Sequence, residues 1–240
     1  MTAKQRRSWW KRLWIPLTLL FLLLMGGGVA IYLQKQPDYR VNYQKGKLHM
    51  RSGRTSKALA SFRRALDHKP DYRAAQMGIM RALKQANKFG EANDELTKAV
   101  DMGLEPWRAA RLRAEIYMNR ATHRIQSKGE ELDVETCTTA IEKDMEPAID
   151  VLKKHTEDSP KPARMNTHLG EVYMRKSSIL GQKRGLLRER LRLARNAGND
   201  DEVSALEERM ADILPEMGRV QRKAMDCYRE AIETNPDADV

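Results

Sequence analysis

Three stretches of this 240-residue chain align without a gap: ALASFRRALDHKP at 58–70, AIDVLKKHTEDSP at 148–160 and AMDCYREAIETNP at 224–236. A fourth, ANDELTKAVDMGL at 92–104, follows the first by 34 residues. Each opens on Ala, sets a larger apolar residue four positions on, and ends at or near a Pro. The positions are Ala58, Phe62, Ala65 and Pro70; Ala92, Leu96 and Ala99, with Pro106 beyond; Ala148, Leu152 and Pro160; Ala224, Tyr228, Ala231 and Pro236. Steps of three and four return to one face of a helix, so each stretch reads as an amphipathic helix. A short helical unit repeated in this way hides its apolar face only by stacking on its neighbours.

A second signature precedes these helices. Ala114-Glu115-Ile116-Tyr117-Met118 recurs as Gly170-Glu171-Val172-Tyr173-Met174, and Gly46 and Met80 fill the equivalent slots upstream. The small residue admits a neighbouring helix closely, and the Tyr three positions later fills the groove beside it. Composition agrees with an all-α chain. Charged residues reach 32%, aromatics only 6%, good helix formers dominate, and alternating β-branched runs are absent.

Together these motifs resemble the tetratricopeptide-repeat (TPR) family over about residues 39–236. The family unit is a 34-residue helix–turn–helix with small residues at the helix contact and Pro after the second helix. The resemblance implies a helical-hairpin solenoid of about four units, at 39–72, 73–106, 107–160 and 163–236. Two departures stand out. The spacing from Ala114 to Ala148 is 22 residues longer than in a standard unit, and that from Gly170 to Ala224 is 42 longer. The last two units are therefore expected to have elongated helices, with hairpin extensions at about 119–145 and 175–220.

The fourth extension has its own internal logic. Arg175, Lys176, Lys183, Arg184, Arg188, Arg190, Arg192 and Arg195 oppose a single acid, Glu189, whereas Asp200, Asp201, Glu202, Glu207 and Glu208 follow Gly198-Asn199. Gly198 suits a helix stop and Asn199 or Asp200 an N-cap, so a basic helix is expected to turn back as an acidic one. Val203, Leu206, Met210, Ile213, Met217, Val220, Ala224, Cys227 and Ala231 keep a 3-4 rhythm, the seam of a coiled-coil-like helix. That rhythm stays in phase across Pro215, which predicts one kinked helix, with Leu180, Leu187, Leu191 and Ala194 facing it. Pro147 marks a similar joint or the start of a helix.

Ahead of the repeats, Leu13–Leu33 reads LWIPLTLLFLLLMGGGVAIYL, without a charge. As a helix it is ~31 Å long, the thickness of a bilayer core. Trp9, Trp10 and Trp14 flank one end and Tyr32 the other, as interfacial anchors do. The expectation is a transmembrane helix at 13–33 in contact with the lipid bilayer, after a basic tail at 1–12 and before a linker at 34–38. A cleaved signal peptide, with Gly28-Val29-Ala30 as a weak cleavage site, is the competing reading. Five of the net +11 charges precede Leu13: Lys4, Arg6, Arg7, Lys11 and Arg12. They favour a cytoplasmic N-terminus and an extracytoplasmic domain at a cell inner membrane, although Lys35, Arg40, Lys45 and Lys47 lie on the other flank.

By the resemblance, the first helices of the units line a concave groove that binds segments of partner proteins. The positions carried over are Arg40, Tyr43, Lys47 and Met50; Ala74, Met77, Arg81 and Lys84; Arg108, Arg111, Glu115 and Met118; Arg164, Thr167, Glu171 and Met174. Arg and Lys beside adaptable Met suit an acidic or amphipathic segment. The Asn-bearing carboxylate clamp of chaperone-binding TPR proteins is not matched. The expected function is a non-enzymatic, membrane-tethered scaffold or assembly factor for a secretion, translocation or pilus-type envelope complex. The alternative is a cytosol-facing receptor resembling organelle import receptors.

No cofactor, metal or nucleic acid is implied. The five histidines are scattered singly, there is no phosphate-binding Gly-rich loop, and the basic stretch lacks interleaved aromatics for base stacking. Cys137 and Cys227 match no zinc or redox spacing and fall on apolar faces, as buried thiols do. The sequence runs only four residues past Pro236, without a polar capping helix, so a homo-oligomer through the last hairpin around Ile232 is expected.

Overall fold

In a computed structural model the described residues are 38–235, and among them all regular structure is helical. They form four hairpins in chain order. The first pairs α1 (Asp38–Arg51) with α2 (Thr55–His68), and the second pairs α3 (Arg73–Gln85) with α4 (Phe89–Asp101). In the third, α5 (Pro106–Gln126) returns through α6 (Val134–Ala140), a π turn (Ile141–Met145) and α7 (Glu146–Thr156). In the fourth, α8 (Pro162–Ala197) returns through α9 (Asp200–Ala211) and α10 (Ile213–Thr234). The predicted anchor at 13–33 lies outside the described residues. Among those described, no helix is long and apolar enough to cross a membrane.

The hairpin turns explain their own residues. Gly53 and Asn87 lie 34 positions apart, each just past a first helix and each left-handed, at φ 70° and 59°. That region is open to Gly and tolerated by Asn. Pro106 and Pro162 open α5 and α8, where a missing N–H leaves no bond unmade.

Stacking rests on missing side chains. The Phe62 ring (1% exposed) is wedged between Gly46 of its own hairpin and Gly78 of the next. A Cβ on Gly78 would stand 2.8 Å from that ring, and one on Gly46 closer still. Tyr228 presses on Gly170 in the same way, at 2.7 Å from the position of a Cβ. Where the large residue is Leu96 or Leu152, the facing slot instead carries Met80 or Ala114, all four buried. Aromatic rings thus meet glycine, and leucines meet a side chain.

Two contiguous cores result. One runs from Ala58 through Phe62, Met80, Leu83 and Leu96 to Leu112 and Ile116. The other joins Trp107, Ala110 and Ala114 to Met145, Leu152, Val172, Leu180 and Ile213. They meet on α5, which turns the 109, 112, 116 face to the first and the 107, 110, 114, 121 face to the second.

The long hairpins show how the expected extensions are built. Gly198 is left-handed (φ 68°), Asn199 N–H donates to the Ala194 carbonyl at 3.1 Å, and the Asn199 side chain accepts from Glu202 N–H at 3.3 Å. One residue pair therefore closes α8 and opens α9. Leu180, Leu187, Leu191 and Ala194 face Leu206, Ile213 and Val220 in one buried seam. The charge pairing expected along this hairpin is slight: among the described residues, two ion pairs span the arms, Arg195–Glu207 at 2.6 Å at the exposed tip and Lys176–Glu216 at 2.8 Å at the base. Exposed pairs contribute little, so apolar packing holds the arms together.

The two prolines within the long hairpins, Pro147 and Pro215, leave their marks three to four residues upstream, near the carbonyl each cannot bond. Pro215 coincides with a one-residue break at Asp212 between α9 and α10. Pro147 follows the π turn, and the Lys143 carbonyl it leaves free accepts from Arg120 Nη2 at 2.8 Å. Asp144, fully buried on that turn, is paired with Arg120 and with Arg124 at 3.2 Å. Lys176 (side chain 10% exposed) ties Glu146 at 2.6 Å to Glu216 at 2.8 Å, binding the third hairpin to the fourth.

The wedge yields a test. Overpacking costs about 1–3 kcal/mol, against a helix-propensity gain of up to ~1 kcal/mol for Gly→Ala. Gly46→Ala is expected to destabilise the domain by about 1–2 kcal/mol in urea unfolding. Adding Phe62→Leu, which shortens the wedge, should make the double variant more stable than the sum of the two single effects.

Candidate partner-binding groove

The first helices α1, α3, α5 and α8 place the residues singled out from the sequence, and they separate into two groups. On α1, Tyr43 packs against Tyr72 at 5.4 Å between ring centroids and against Phe62 at 5.7 Å. Tyr39 meets Tyr72 edge-on at 4.9 Å. Burial, then Tyr43 and Tyr39, push the Tyr72 hydroxyl above its ordinary range. Tyr43 and Met50 are thus packing residues at the rim of the first core. Arg40 and Lys47 are exposed beside these rings.

The second group converges. Met77 and Arg81 from α3, Arg108 and Arg111 from α5, and Arg164 from α8 line one concavity of about 430 Å³. Arg73, Ala74, Leu104, Trp107, Leu112 and Lys161 complete its wall. Arg111 also borders a smaller hollow of about 180 Å³, shared with Met118, Glu115, His168 and Glu171. Lys84 is paired with Glu115 at its edge. Met174 is exposed on α8 and belongs to neither hollow. A third concavity, about 660 Å³, shares Lys161 and Arg164, but its far wall is the end of α10 rather than the row of first helices.

The main hollow is electropositive. Six cations line it: Arg73, Arg81, Arg108, Arg111, Lys161 and Arg164. Arg108 is held by Glu105 at 2.9 Å and Arg73 donates to the Met102 carbonyl at 3.0 Å. Among the described residues no acid pairs with Arg81, Arg111 or Arg164. Arg111 has a buried Nε with no hydrogen-bond partner there. Burial, then the charge of Arg164, hold its guanidinium below the usual arginine range. Trp107 and Met77 supply an apolar floor.

Sequence reasoning missed Arg73, Trp107 and Lys161. Arg73 and Trp107 lie 34 residues apart at the first position of consecutive units, a phase signal that was available. Lys161 joins the hollow only because the α7–α8 turn carries it there. Among the described residues no group of three or more His, Cys, Asp or Glu is placed to hold a metal ion. Cys137 and Cys227 are buried free thiols, and burial pushes Cys227 up to about 11. The arrangement suits recognition of a charged, partly apolar segment.

The tetratricopeptide repeat family matches residues 49–116, from the end of α1 into α5. Over this segment the chain is similar to that family. The match covers the α3 and α5 walls of the groove and ends before α8. Among solved structures, the chain is similar to the TPR protein YrrB, described with an unusual peptide-binding site. That match has 16% identity over 87% of this chain and 92% of that one, with a TM-score of 0.39. A thermophilic TPR protein of Thermus thermophilus gives 20% identity, 83% and 92% coverage and 0.43. The pilF protein of Pseudomonas aeruginosa gives 14%, 74% and 92%, and 0.31. These likenesses are loose and carry no argument; the likeness to the TPR family rests on residues 49–116. No curated protein is significantly similar to the chain.

An unpaired buried donor lowers stability by about 1–3 kcal/mol, less where part of the group reaches water. Replacing Arg111 with Met is therefore expected to leave stability unchanged or raise it by about 1 kcal/mol in urea unfolding. A loss of stability would show that Arg111 serves the fold.

Proposed function

We propose that this chain is a membrane-tethered scaffold whose TPR groove holds an acidic, partly apolar segment of a partner protein. The observation that carries this reading is the hollow where Arg81, Arg111 and Arg164 converge over Trp107 and Met77. Grouping cations without acids costs self-repulsion that a bound anionic segment relieves. Guanidinium forks grip carboxylates in bidentate fashion, and the Met side chain accommodates apolar residues between them.

The tether is the uncharged run Leu13–Leu33, with Trp on one flank and Tyr on the other. Its basic N-terminal flank favours an N-terminus in the cytoplasm and the repeats outside it, in the inner membrane of an envelope. An array held at the surface by one span suits an assembly factor for an envelope complex of the secretion, translocation or pilus type. The opposite orientation, a cytosol-facing receptor, draws on Lys35, Arg40, Lys45 and Lys47 beyond the span.

Two measurements test these points. In fluorescence anisotropy, an alternating Glu/Leu peptide is expected to bind at least about tenfold more tightly than its Lys/Leu counterpart, a difference of ~1.4 kcal/mol. The preference should fade with added salt and be lost in an Arg81→Glu/Arg111→Glu variant. Equal binding of both peptides rejects the acidic-segment reading. For orientation, an impermeant maleimide applied to intact cells should label a cysteine placed at Ser204. The buried native thiols, Cys227 with almost no thiolate at neutral pH, stay silent. Labelling only after lysis reverses the topology.

A further inference from the structure

In the first three hairpins the chain leaving the second helix passes over the start of the first. Aligning the units at Gly46, Met80, Ala114 and Gly170 makes Tyr39, Arg73, Trp107 and Ala163 equivalent, as are Tyr43, Met77, Arg111 and Thr167. Tyr72, just past Pro70, packs edge-on against Tyr39 at 4.9 Å and Tyr43 at 5.4 Å. Leu104, in the slot of Pro70, lines the main hollow with Arg73 and Met77, and Lys161, in the slot of Asp71, lines it with Trp107 and Arg111. In the fourth hairpin the same path begins at Asn235, which is extended (φ −148°) ahead of Pro236. Asn235 opens onto the concavity of about 660 Å³ that Ala163 and Thr167 also line. Residues 236–240, beyond the described ones, read Pro-Asp-Ala-Asp-Val, and the first four take the slots of Pro70, Asp71, Tyr72 and Arg73.

The concavity suits that sequence. Where Tyr39 and Tyr43 fill the first hairpin's slot with rings, Ala163 and Thr167 leave this one open. Lys161, Arg164 and His168 line it, and among the described residues no acid does. His168 is already held by Glu171 at 2.9 Å, and Glu230 of α10 accepts from Asn166 at 3.2 Å. Lys161 and Arg164 are exposed, and among the described residues neither has an acidic partner. The positive end of α8, which opens at Pro162 without a side-chain cap, adds to their field.

We propose that residues 236–240 lie in this concavity over Ala163 and Thr167, with Asp237 and Asp239 pairing with Lys161 and Arg164. Asp237 is within ~7 Å of Asn235 and Asp239 within ~14 Å, at ~3.5 Å per residue, so both cations are in reach. Attachment to α10 raises the local concentration of these carboxylates to the millimolar range, so contacts too weak to hold a free peptide hold this one. Arg164 also lines the partner groove. The chain's own acidic segment therefore competes there with the partner's, a consequence that rests on the function proposed above.

The full chain in detergent micelles tests the docking. In an Ala238→Cys/Thr167→Cys variant, mild oxidation is expected to close a disulfide within one copy, located by mass analysis. Adding Asp237→Asn/Asp239→Asn, which leaves the groove untouched, should slow closure at least about fivefold, because two ion pairs are lost. No closure, closure indifferent to those substitutions, or a bridge to a second copy or another protein overturns the proposal. With only the native cysteines, Asp237→Asn/Asp239→Asn should tighten binding of the Glu/Leu peptide at least about threefold, as more of the chains stand open. Unchanged affinity in a chain that still prefers Glu/Leu to Lys/Leu overturns the competition. A chain without that preference rejects the acidic-segment reading instead, and the disulfide rates still decide where residues 236–240 lie.

Discussion

The structure depends on how closely one helix approaches the next. Phe62 sits where Gly46 and Gly78 have no side chain, and the ring then touches backbone on two hairpins at once. Dense packing of this kind carries position as well as stability, because a buried ring with no free volume fixes both neighbours together. The alternation of ring against glycine and leucine against a side chain shows the same space filled in two ways. The second hairpin is the exception: Met80 occupies a slot that holds glycine or alanine elsewhere.

The elongated hairpins keep this register although more than forty residues separate the paired positions of the fourth. A helix of 36 residues, about 54 Å long, returns to the right phase because its seam continues to the last turn of α10. Proline interruptions are absorbed locally. At Pro147 the π turn takes up an extra residue, and Arg120 both bonds the freed carbonyl and pairs with buried Asp144. Leaving one member of such a group alone in the interior would cost several kcal/mol, so the joint is firm. Lys176, clasped by Glu146 and Glu216, fastens the base of the long hairpin to α7 and α10.

Much of this was legible in the sequence because repeats expose phase. The four recurring Ala stretches, the stop at Gly198-Asn199 and the seam from Val203 to Ala231 are local or periodic patterns, and the helices follow them. The facts that stayed hidden concern neighbours distant in sequence. Gly78 looks like one more helical glycine until Phe62, 16 residues earlier, is seen against it. The π turn follows from a carbonyl that Pro147 cannot bond and an arginine two dozen residues upstream. The opposite charges on the two arms of the fourth hairpin suggested pairing, yet long surface side chains lose entropy when fixed and mostly remain in water. In the groove the family positions on α3 and α5 converge, whereas Tyr43 and Met50 are drawn into packing because α1 is the edge helix and its aromatics find Tyr72.

That edge effect bears on where recognition takes place. A hollow flanked on both sides by first helices, as α5 is by α3 and α8, can surround a ligand with cations from three elements. The outer helix offers only one side. Arg111, on the middle helix, is half-buried, and its Nε has no partner among the described residues. A charge kept in that condition is poorly explained by folding, since methionine would fill the same space at lower cost. Under the proposed function, a carboxylate of the partner segment would complete the bonding the fold leaves unmade.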